Sequence, residues 1–174
     1  MLLVAPKAPF SMSQLLPNVI NNESDLVLLS KLFDIETRLA ECSVHIGHLL
    51  AACQEIDRAA IVLTDVNIWT WSAPRAKFSF RATSKEMSQL VTLMEALPEI
   101  TKTDCRLEGT KYNVQMAGED CIIGKKNRSA VIVIKVDRIV LIACYKDGND
   151  ESVIEAVKKG AASIKQKENI QRIF

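Results

Sequence analysis

The spacing of hydrophobic residues predicts a helical region in the first third of the chain. Between residues 35 and 53 the apolar side chains lie alternately three and four positions apart, which places them on one stripe of a long helix: Ile35, Leu39, Cys42, Ile46, Leu49 and Cys53. Just before this helix, Ser24 can cap a separate short helix over the segment DLVLLSKLF.

Two further helices are marked by their ends. Thr83 and Glu86 form a capping box for a middle helix that Pro98 is predicted to end. Asn149 or Asp150 caps a last helix. The residues predicted to be buried are Met87, Leu90, Val91, Met94 and Leu97 in the middle helix and Val153, Val157, Ala161 and Ile164 in the last helix.

Runs of apolar and β-branched residues predict strands in the remaining segments. The first two are residues 59–64 and 68–71, joined by a tight connection at Asp65-Val66-Asn67. Five more follow in the second half: CRLEG, KYNVQM, DCIIGK, AVIVIKV and IVLIACY. Two residues separate the last two runs, which predicts an antiparallel hairpin, and both are apolar at nearly every position, as in strands covered on both faces.

These elements predict an α/β fold of the α+β type. A central antiparallel sheet of about six or seven strands would have the terminal helices on one face and the middle helix on the other. Trp69 and Trp71 are two residues apart, so they share one face, and we place them in the core under the terminal helices. We interpret residues 1–22, which contain three of the five prolines, as a flexible arm.

Composition and charge exclude several classes of function. The net charge of +1 over 174 residues offers no general attraction for nucleic acid. The five cysteines contain no C-x-x-C pair, which is typical of a reduced intracellular chain. The first ten residues lack the basic region of a signal peptide, and no window approaches the roughly 18 apolar residues of a membrane span. We therefore expect a cytoplasmic protein.

The chain contains few candidates for catalysis or metal binding. Cys42, His45, His48 and Cys53 would be spread over about 16 Å of one helix, too far apart to bind a single zinc ion. There is no G-x-S-x-G, P-loop or glycine-rich dinucleotide loop. We predict no enzyme, no cofactor and no metal.

Basic residues form the clearest polar cluster. Lys111, Lys125, Lys126 and Arg128 lie at or near strand ends and turns that neighbour one another in a meander. These basic residues form either a solvated rim or a surface that binds a partner. The two tryptophans also have two interpretations: they are either core residues or an aromatic platform for proline-rich peptides.

The order of short motifs from about residue 43 to 165 resembles that of the profilin family. No single motif decides this, but together they are collinear over some 120 residues. The motifs are Ala60-Ile61-Val62, Ile68-Trp69-Thr70, Glu86, Gly109, Lys111, Tyr112, Val114, Gly124-Lys125-Lys126 and Tyr145-Lys146-Asp147-Gly148.

This resemblance implies a non-enzymatic protein that binds actin monomers and regulates their polymerisation. The chain would be a monomer, associated with the cytoskeleton, with residues 43–174 as its profilin-like domain. The implied actin-binding residues are Lys85, Gln89, Lys111, Lys125, Lys126, Arg128, Asn149, Asp150 and Glu155.

Two further ligands of the family are implied less directly. Phosphoinositide lipids would meet basic residues, here Arg75, Lys77, Arg81, Lys125 and Lys126. Proline-rich peptides would dock between the terminal helices, but the family's aromatic residues are replaced near Ser43, Ile46 and Ser163, so this site is rebuilt or weak. Its candidate residues are Trp69, Trp71, His45, Ile46 and Ser163.

The resemblance also implies an N-terminal extension, made up of the flexible arm (residues 1–22) and a helical segment (23–42), which is a second departure from the family. We hypothesise that the arm, with its APKAP segment, partly occupies the groove between the terminal helices. The competing interpretation of the whole chain is a dimeric scaffold of roadblock or longin type, associated with a small GTPase. That class would need an exposed apolar helix or strand edge for self-association.

Overall fold

The computed structural model describes residues 23–97 and 103–171. The predicted arm and Pro98 lie outside these residues. The helices are α1 (Glu23–Ala52), α2 (Ser84–Glu95) and α3 (Asp150–Gln171). The strands are β1 (Ile56–Leu63), β2 (Ile68–Ser72), β3 (Thr103–Leu107), β4 (Thr110–Met116), β5 (Cys121–Lys126), β6 (Ser129–Val136) and β7 (Ile139–Lys146).

The seven strands form one antiparallel sheet in the order β2-β1-β7-β6-β5-β4-β3. Strands β3 to β7 follow one another as a meander, and β1 then pairs with β7. Tight turns set the register. Between β3 and β4 both turn residues, Glu108 and Gly109, have positive φ, as a two-residue hairpin turn requires. Asn127 and Asp137 have positive φ in the β5–β6 and β6–β7 turns.

Each face of the sheet has its own core, as predicted. Alternate residues of β1 show the division: Ala59, Ile61 and Leu63 pack toward α1 and α3, whereas Ala60 and Val62 pack toward α2. Helix α1 lies on β1 and β2, α3 on β6 and β7, and α2 on β3 and β6. The predicted arrangement of terminal helices on one face and the middle helix on the other is confirmed.

The predicted division of the first helical region into two helices is wrong. Residues 23–52 form one continuous helix. The two predicted helices meet between Phe33 and Ile35, and no glycine or proline stands there to end the first of them. The capping box of α2 is confirmed: the Glu86 amide donates to Thr83 Oγ1, and the Thr83 amide donates to the Glu86 carboxylate.

The predicted position of the two tryptophans is also wrong. Trp69 is buried in the α2 core and Trp71 packs against that same core, so neither lies under the terminal helices. The cause is the register of the first hairpin. Ile68 pairs with Leu63 and faces α1, so the two tryptophans that alternate with it point away from α1.

Gly124 is a point of close approach within the α2 core. A Cβ at this position would lie 2.9 Å from the Cβ of Tyr112 and 3.0 Å from Cγ1 of Val131. Both neighbours are held by the sheet, so neither can move away without disturbing the strands.

We therefore expect Gly124→Ala to lower the free energy of unfolding by about 1–3 kcal/mol. The matched control is Gly47→Ala in α1, where no atom lies within 4 Å of the added Cβ. Because alanine favours the helix, this control is expected to raise the unfolding free energy by about 0.5–1 kcal/mol. Urea unfolding measures both. Equal effects of the two substitutions would contradict the close packing at Gly124.

Candidate functional site

On the face of the sheet that carries α1 and α3, these two helices do not cover strands β3 and β4. They pack on β1, β2, β6 and β7, so the polar residues of β3 and β4 on that face stay exposed. The end of β5 continues this row with Lys125, which points toward the same face as Cys121 and Ile123. We call this set the open-strand surface: Asp104, Arg106, Lys111, Asn113, Gln115 and Lys125.

Two of the three cations of this surface, Lys111 and Lys125, are held by carboxylates of the same chain. Lys111 Nζ lies 2.8 Å from Oδ2 of Asp104, and Lys125 pairs with Asp150 at the start of α3. The Tyr145 hydroxyl donates to the other carboxylate oxygen of Asp150 at 2.5 Å. Hydrogen bonds from Lys125 and then Tyr145 keep the pKa of Asp150 below its ordinary value of 3.8.

The N-terminus of α3 borders the open-strand surface and is tightly built. Asn149 is the capping residue, since its Oδ1 accepts from the Glu151 amide at 3.1 Å, which confirms one of the two predicted caps. The Asn149 amide in turn donates to Glu55 at 2.7 Å. A Cβ at Gly148 would lie 2.6 Å from a Glu55 carboxylate oxygen and 2.8 Å from Cδ2 of the buried Tyr145 ring, so a larger residue here must displace one or both.

Lys126 and Arg128 occupy a different position from Lys125. One strand step after Lys125, Lys126 points toward the α2 side of the sheet. Arg128 lies in the β5–β6 turn and pairs at 2.6 Å with Asp147, in the turn before α3. Lys125, Lys126 and Arg128 are close together in the sequence, but they therefore point in different directions around the end of β5.

The predicted residues of α2 lie beside the edge strand. Lys85 and Gln89 are exposed, and Gln89 lines a groove with Lys111 and Arg106 around β3. Glu155 is separate from this region: it pairs with Lys159 and lines a groove between α1 and α3.

The groove between the terminal helices brings together only part of the predicted poly-proline set. His45 and Ser163 line it, whereas Ile46 is only 1% exposed and the two tryptophans lie across the sheet. Among the described residues that line this groove there is no Trp, Tyr or Phe. Nearby, the Ser43 hydroxyl lies 3.1 Å from that of Thr70, so two small polar side chains face each other there.

The residues predicted to meet lipid lie in the loop between β2 and α2 and on β5. Arg75 donates to the carbonyl of Ile56 at 3.2 Å, which ties the loop to the start of β1. Lys77 and Arg81 lie 5.5 and 4.9 Å from the ring centroid of Phe78, which is 58% exposed.

A buried carboxylate fixes α2 to the sheet, and sequence reasoning predicted only part of its role. Glu86 is 6% exposed and accepts hydrogen bonds from the amides of Thr83, Glu108 and Gly109 at 2.9, 3.1 and 2.8 Å. The capping box indicated the first of these. The other two come from the β3–β4 turn, and no local pattern in the sequence marks them.

The cysteines are all buried and free. Burial raises the pKa of Cys42, Cys105 and Cys144 to about 12 and that of Cys121 to about 11, so these thiols stay protonated at neutral pH. Within residues 23–97 and 103–171 no group of three or more His, Cys, Asp or Glu side chains is placed to bind a metal ion. None of the helices described has the length and apolar character needed to cross a membrane.

Comparisons with known proteins agree with this architecture. The profilin family model matches residues 43–169. Profilin-3 of Caenorhabditis elegans is 29% identical over 103 residues, covering 59% of this chain and 78% of that protein. Profilin IB of Acanthamoeba castellanii has a TM-score of 0.62 at 23% identity, covering 73% of this chain and 98% of that one. LokiProfilin2, solved in a complex with rabbit actin, has a TM-score of 0.60 at 19% identity, covering 72% and 96%.

Since the family model spans most of the chain, the chain belongs to the profilin family. This membership does not favour the roadblock or longin alternative. The family match begins at residue 43, within α1, so the first twenty residues of that helix precede it.

The contacts of Asp150 predict how stability depends on pH. Because its pKa is lowered in the folded state, ionised Asp150 stabilises the protein above the pKa of an unfolded aspartate, and this contribution is lost as pH falls through the lower folded value. We expect Asp150→Asn to lower the unfolding free energy at pH 7, and the difference from wild type to shrink below about pH 4.

Denaturant unfolding from pH 2.5 to 7 checks this. The control is Glu151→Gln, an exposed residue in the same helical turn, for which we expect a change of less than about 1 kcal/mol. A difference between wild type and Asp150→Asn that stays constant down to the lowest pH would contradict the assigned role.

Proposed function

We propose that this chain binds actin monomers and regulates their polymerisation through the open-strand surface and the N-terminus of α3. The observation that carries the proposal is the row of exposed polar side chains on β3 to β5 that the terminal helices leave uncovered. Membership of the profilin family supports it, as does the likeness of the fold to LokiProfilin1 and LokiProfilin2, each solved in a complex with rabbit actin.

The internal ion pairs determine what the cations contribute to binding. Lys111 and Lys125 are already neutralised by Asp104 and Asp150, so a partner carboxylate must share or replace these contacts. Such exposed pairs are worth about 1 kcal/mol or less, so exchanging partners costs little. Lys126 is exposed and has no ion-pair partner among the described residues. We assign Lys126 to electrostatic steering and the paired lysines to orientation of the complex.

Eight of the nine residues implied by the family resemblance lie on α2, β4, β5, the β5–β6 turn and the start of α3, and we group these as the proposed actin surface. Glu155 is the exception, since it lines the groove between α1 and α3. We do not include it in the proposed actin surface. The remaining set is Lys85, Gln89, Lys111, Lys125, Lys126, Arg128, Asn149 and Asp150.

We expect the wild-type protein to slow spontaneous nucleation when titrated into labelled actin monomers. A variant with Lys111→Glu, Lys125→Glu and Lys126→Glu reverses three charges on the proposed surface, so it should lose at least ten-fold in affinity. Lys159→Glu is the matched control, because this exposed lysine lies on α3 in the other groove. It should act like the wild type.

Nucleation that is unaffected by the wild-type protein would contradict the proposed function. Inhibition that the triple variant retains and Lys159→Glu loses would instead place the actin contact on the terminal helices. A native circular dichroism spectrum and unfolding curve must accompany each variant, since Lys125 also supports the start of α3.

We further propose that poly-proline binding is weak. Stacking on proline rings needs flat aromatic walls, and the groove between α1 and α3 offers two histidines in their place. Partial burial, together with Lys167, lowers the pKa of His45 below 6.5, so this histidine is neutral at pH 7 and offers no charge to a peptide.

Placing aromatic residues at Ser43 and Ser163, the two exposed positions among the three where the family's aromatic residues are replaced, is expected to create the missing site. Calorimetry with a ten-proline peptide should detect no binding to the wild type at sub-millimolar concentrations, and a gain in affinity of at least ten-fold for Ser43→Trp combined with Ser163→Tyr. Trp71→Phe, on the opposite face, should leave the result unchanged. Tight binding by the wild type, lost in Trp71→Phe, would place the site on the tryptophan face instead.

Phosphoinositide binding is a further proposal, supported by the loop between β2 and α2. Two cations flank an exposed aromatic ring there, which suits an anionic membrane surface. Arg75 contributes less than predicted, since its guanidinium is engaged with backbone carbonyls, and Lys125 lies on the other face. Such binding would be electrostatic and would weaken with added salt.

A further inference from the structure

The first half of α1 carries an apolar surface that is not covered by the rest of the described chain. Leu26, Val27, Leu28 and Phe33 are between 51 and 57% exposed. They are four of the seven large hydrophobic residues that are exposed in the described part of the chain, and they lie within eight positions of one another. We call these four residues, with the half-buried Leu29 and Leu32 between them, the α1 apolar surface.

This surface projects beyond the sheet. Leu39 is the first buried residue of α1, and Ile35 packs against the same core, so residues 23–34, about 18 Å of helix, lie outside it. The base of the projection is fixed by Arg38, whose guanidinium donates to both carboxylate oxygens of Asp65 at 2.8 and 2.9 Å. Beyond Arg38 the helix is continuous up to Glu23.

The apolar residues occupy more than one side of the helix. Leu28 and Leu32 extend the stripe that is buried farther along α1, while Leu26, Leu29 and Phe33 form a second stripe beside it. A helix that is apolar over this much of its circumference is normally buried. A contiguous exposed patch of this kind marks a contact surface.

The segment that precedes α1 has a matching character. Residues 1–22 contain twelve apolar residues and a single charged one, Lys7. A solvated linker is rich in charged and polar residues, so this composition indicates a segment that packs against something. Its last apolar residue, Ile20, is separated from Glu23 only by two asparagines, which favour chain reversal.

We propose that residues 1–20 fold back along α1 and cover the α1 apolar surface. Ten extended residues reach about 33 Å, so residues 10–20 alone can run the length of the projecting helix. They bring five large hydrophobic side chains to it: Phe10, Leu15, Leu16, Val19 and Ile20. This location replaces the groove between α1 and α3 as the docking site of the arm, because that groove has a mixed polar lining.

The direct covalent link favours this occupant over a second copy of the chain. A segment joined through two residues is present at an effective concentration in the millimolar range, whatever the protein concentration. The arm therefore covers the surface first and keeps it from pairing with another molecule. The proposal is independent of actin binding, since the α1 apolar surface and the open-strand surface belong to different elements.

The experiment compares the full chain with a variant lacking residues 1–20, using fluorescence of the hydrophobic dye ANS and light scattering over a range of concentrations. We expect the full chain to be monomeric with low dye fluorescence, and the deletion to raise fluorescence several-fold and to promote self-association. Leu15→Glu with Leu16→Glu should have the same effect at full length. A synthetic peptide of residues 1–20 should reverse it.

A second comparison, made in a variant of the α1 apolar surface, tests whether this surface is the one that the arm covers. With Leu26→Ser, Leu28→Ser and Phe33→Ser in place, removing the arm should no longer change dye fluorescence. Equal fluorescence of the full chain and the folded deletion variant would show that the arm does not cover α1. A full chain that is a dimer, and remains one after the deletion, would assign the surface to a second copy.

Discussion

The burial of β6 and β7 on both faces is the constraint on which the rest of the structure depends. Nearly every residue of these two strands is buried, with alternate side chains entering opposite cores. Each large apolar side chain so buried contributes about 1.5–3 kcal/mol, most of which is offset by the loss of conformational entropy. Both faces must therefore carry helices. The two terminal helices cover only part of the sheet, and the open strands are left available for contact.

Sequence patterns predicted those features that local periodicity determines. The apolar runs of β6 and β7 and the capping box at Thr83 required no knowledge of neighbours. The face of Trp69 was predicted wrongly, because a hairpin register that differs by one residue reverses every side chain of the strand. The contacts of Glu86 with the β3–β4 turn and of Asp150 with Lys125 could not be predicted, since they join segments about twenty-five residues apart through the tertiary fold.

The residues of the candidate surface are held in fixed positions, and exchanging their ion pairs for contacts with a partner costs little free energy. Its strands are fixed by the sheet, and α2 is fixed to the β3–β4 turn through Glu86, so the positions of Gln89 and Lys111 depend on one buried carboxylate. The lysines are preoriented by aspartates rather than left mobile. Less side-chain entropy remains to be lost when such residues meet a partner.

Gly124, Lys125 and Lys126 are consecutive in the sequence, but each has a different role in the structure. The glycine belongs to the α2 core, the first lysine to the start of α3, and the second to solvent on the opposite side of the sheet. Substitutions at the three positions therefore change different properties: packing at Gly124, the start of α3 at Lys125 and surface charge at Lys126. The charge at Lys126 can be varied without disturbing the fold, whereas a side chain at position 124 requires a shift of Tyr112 or Val131.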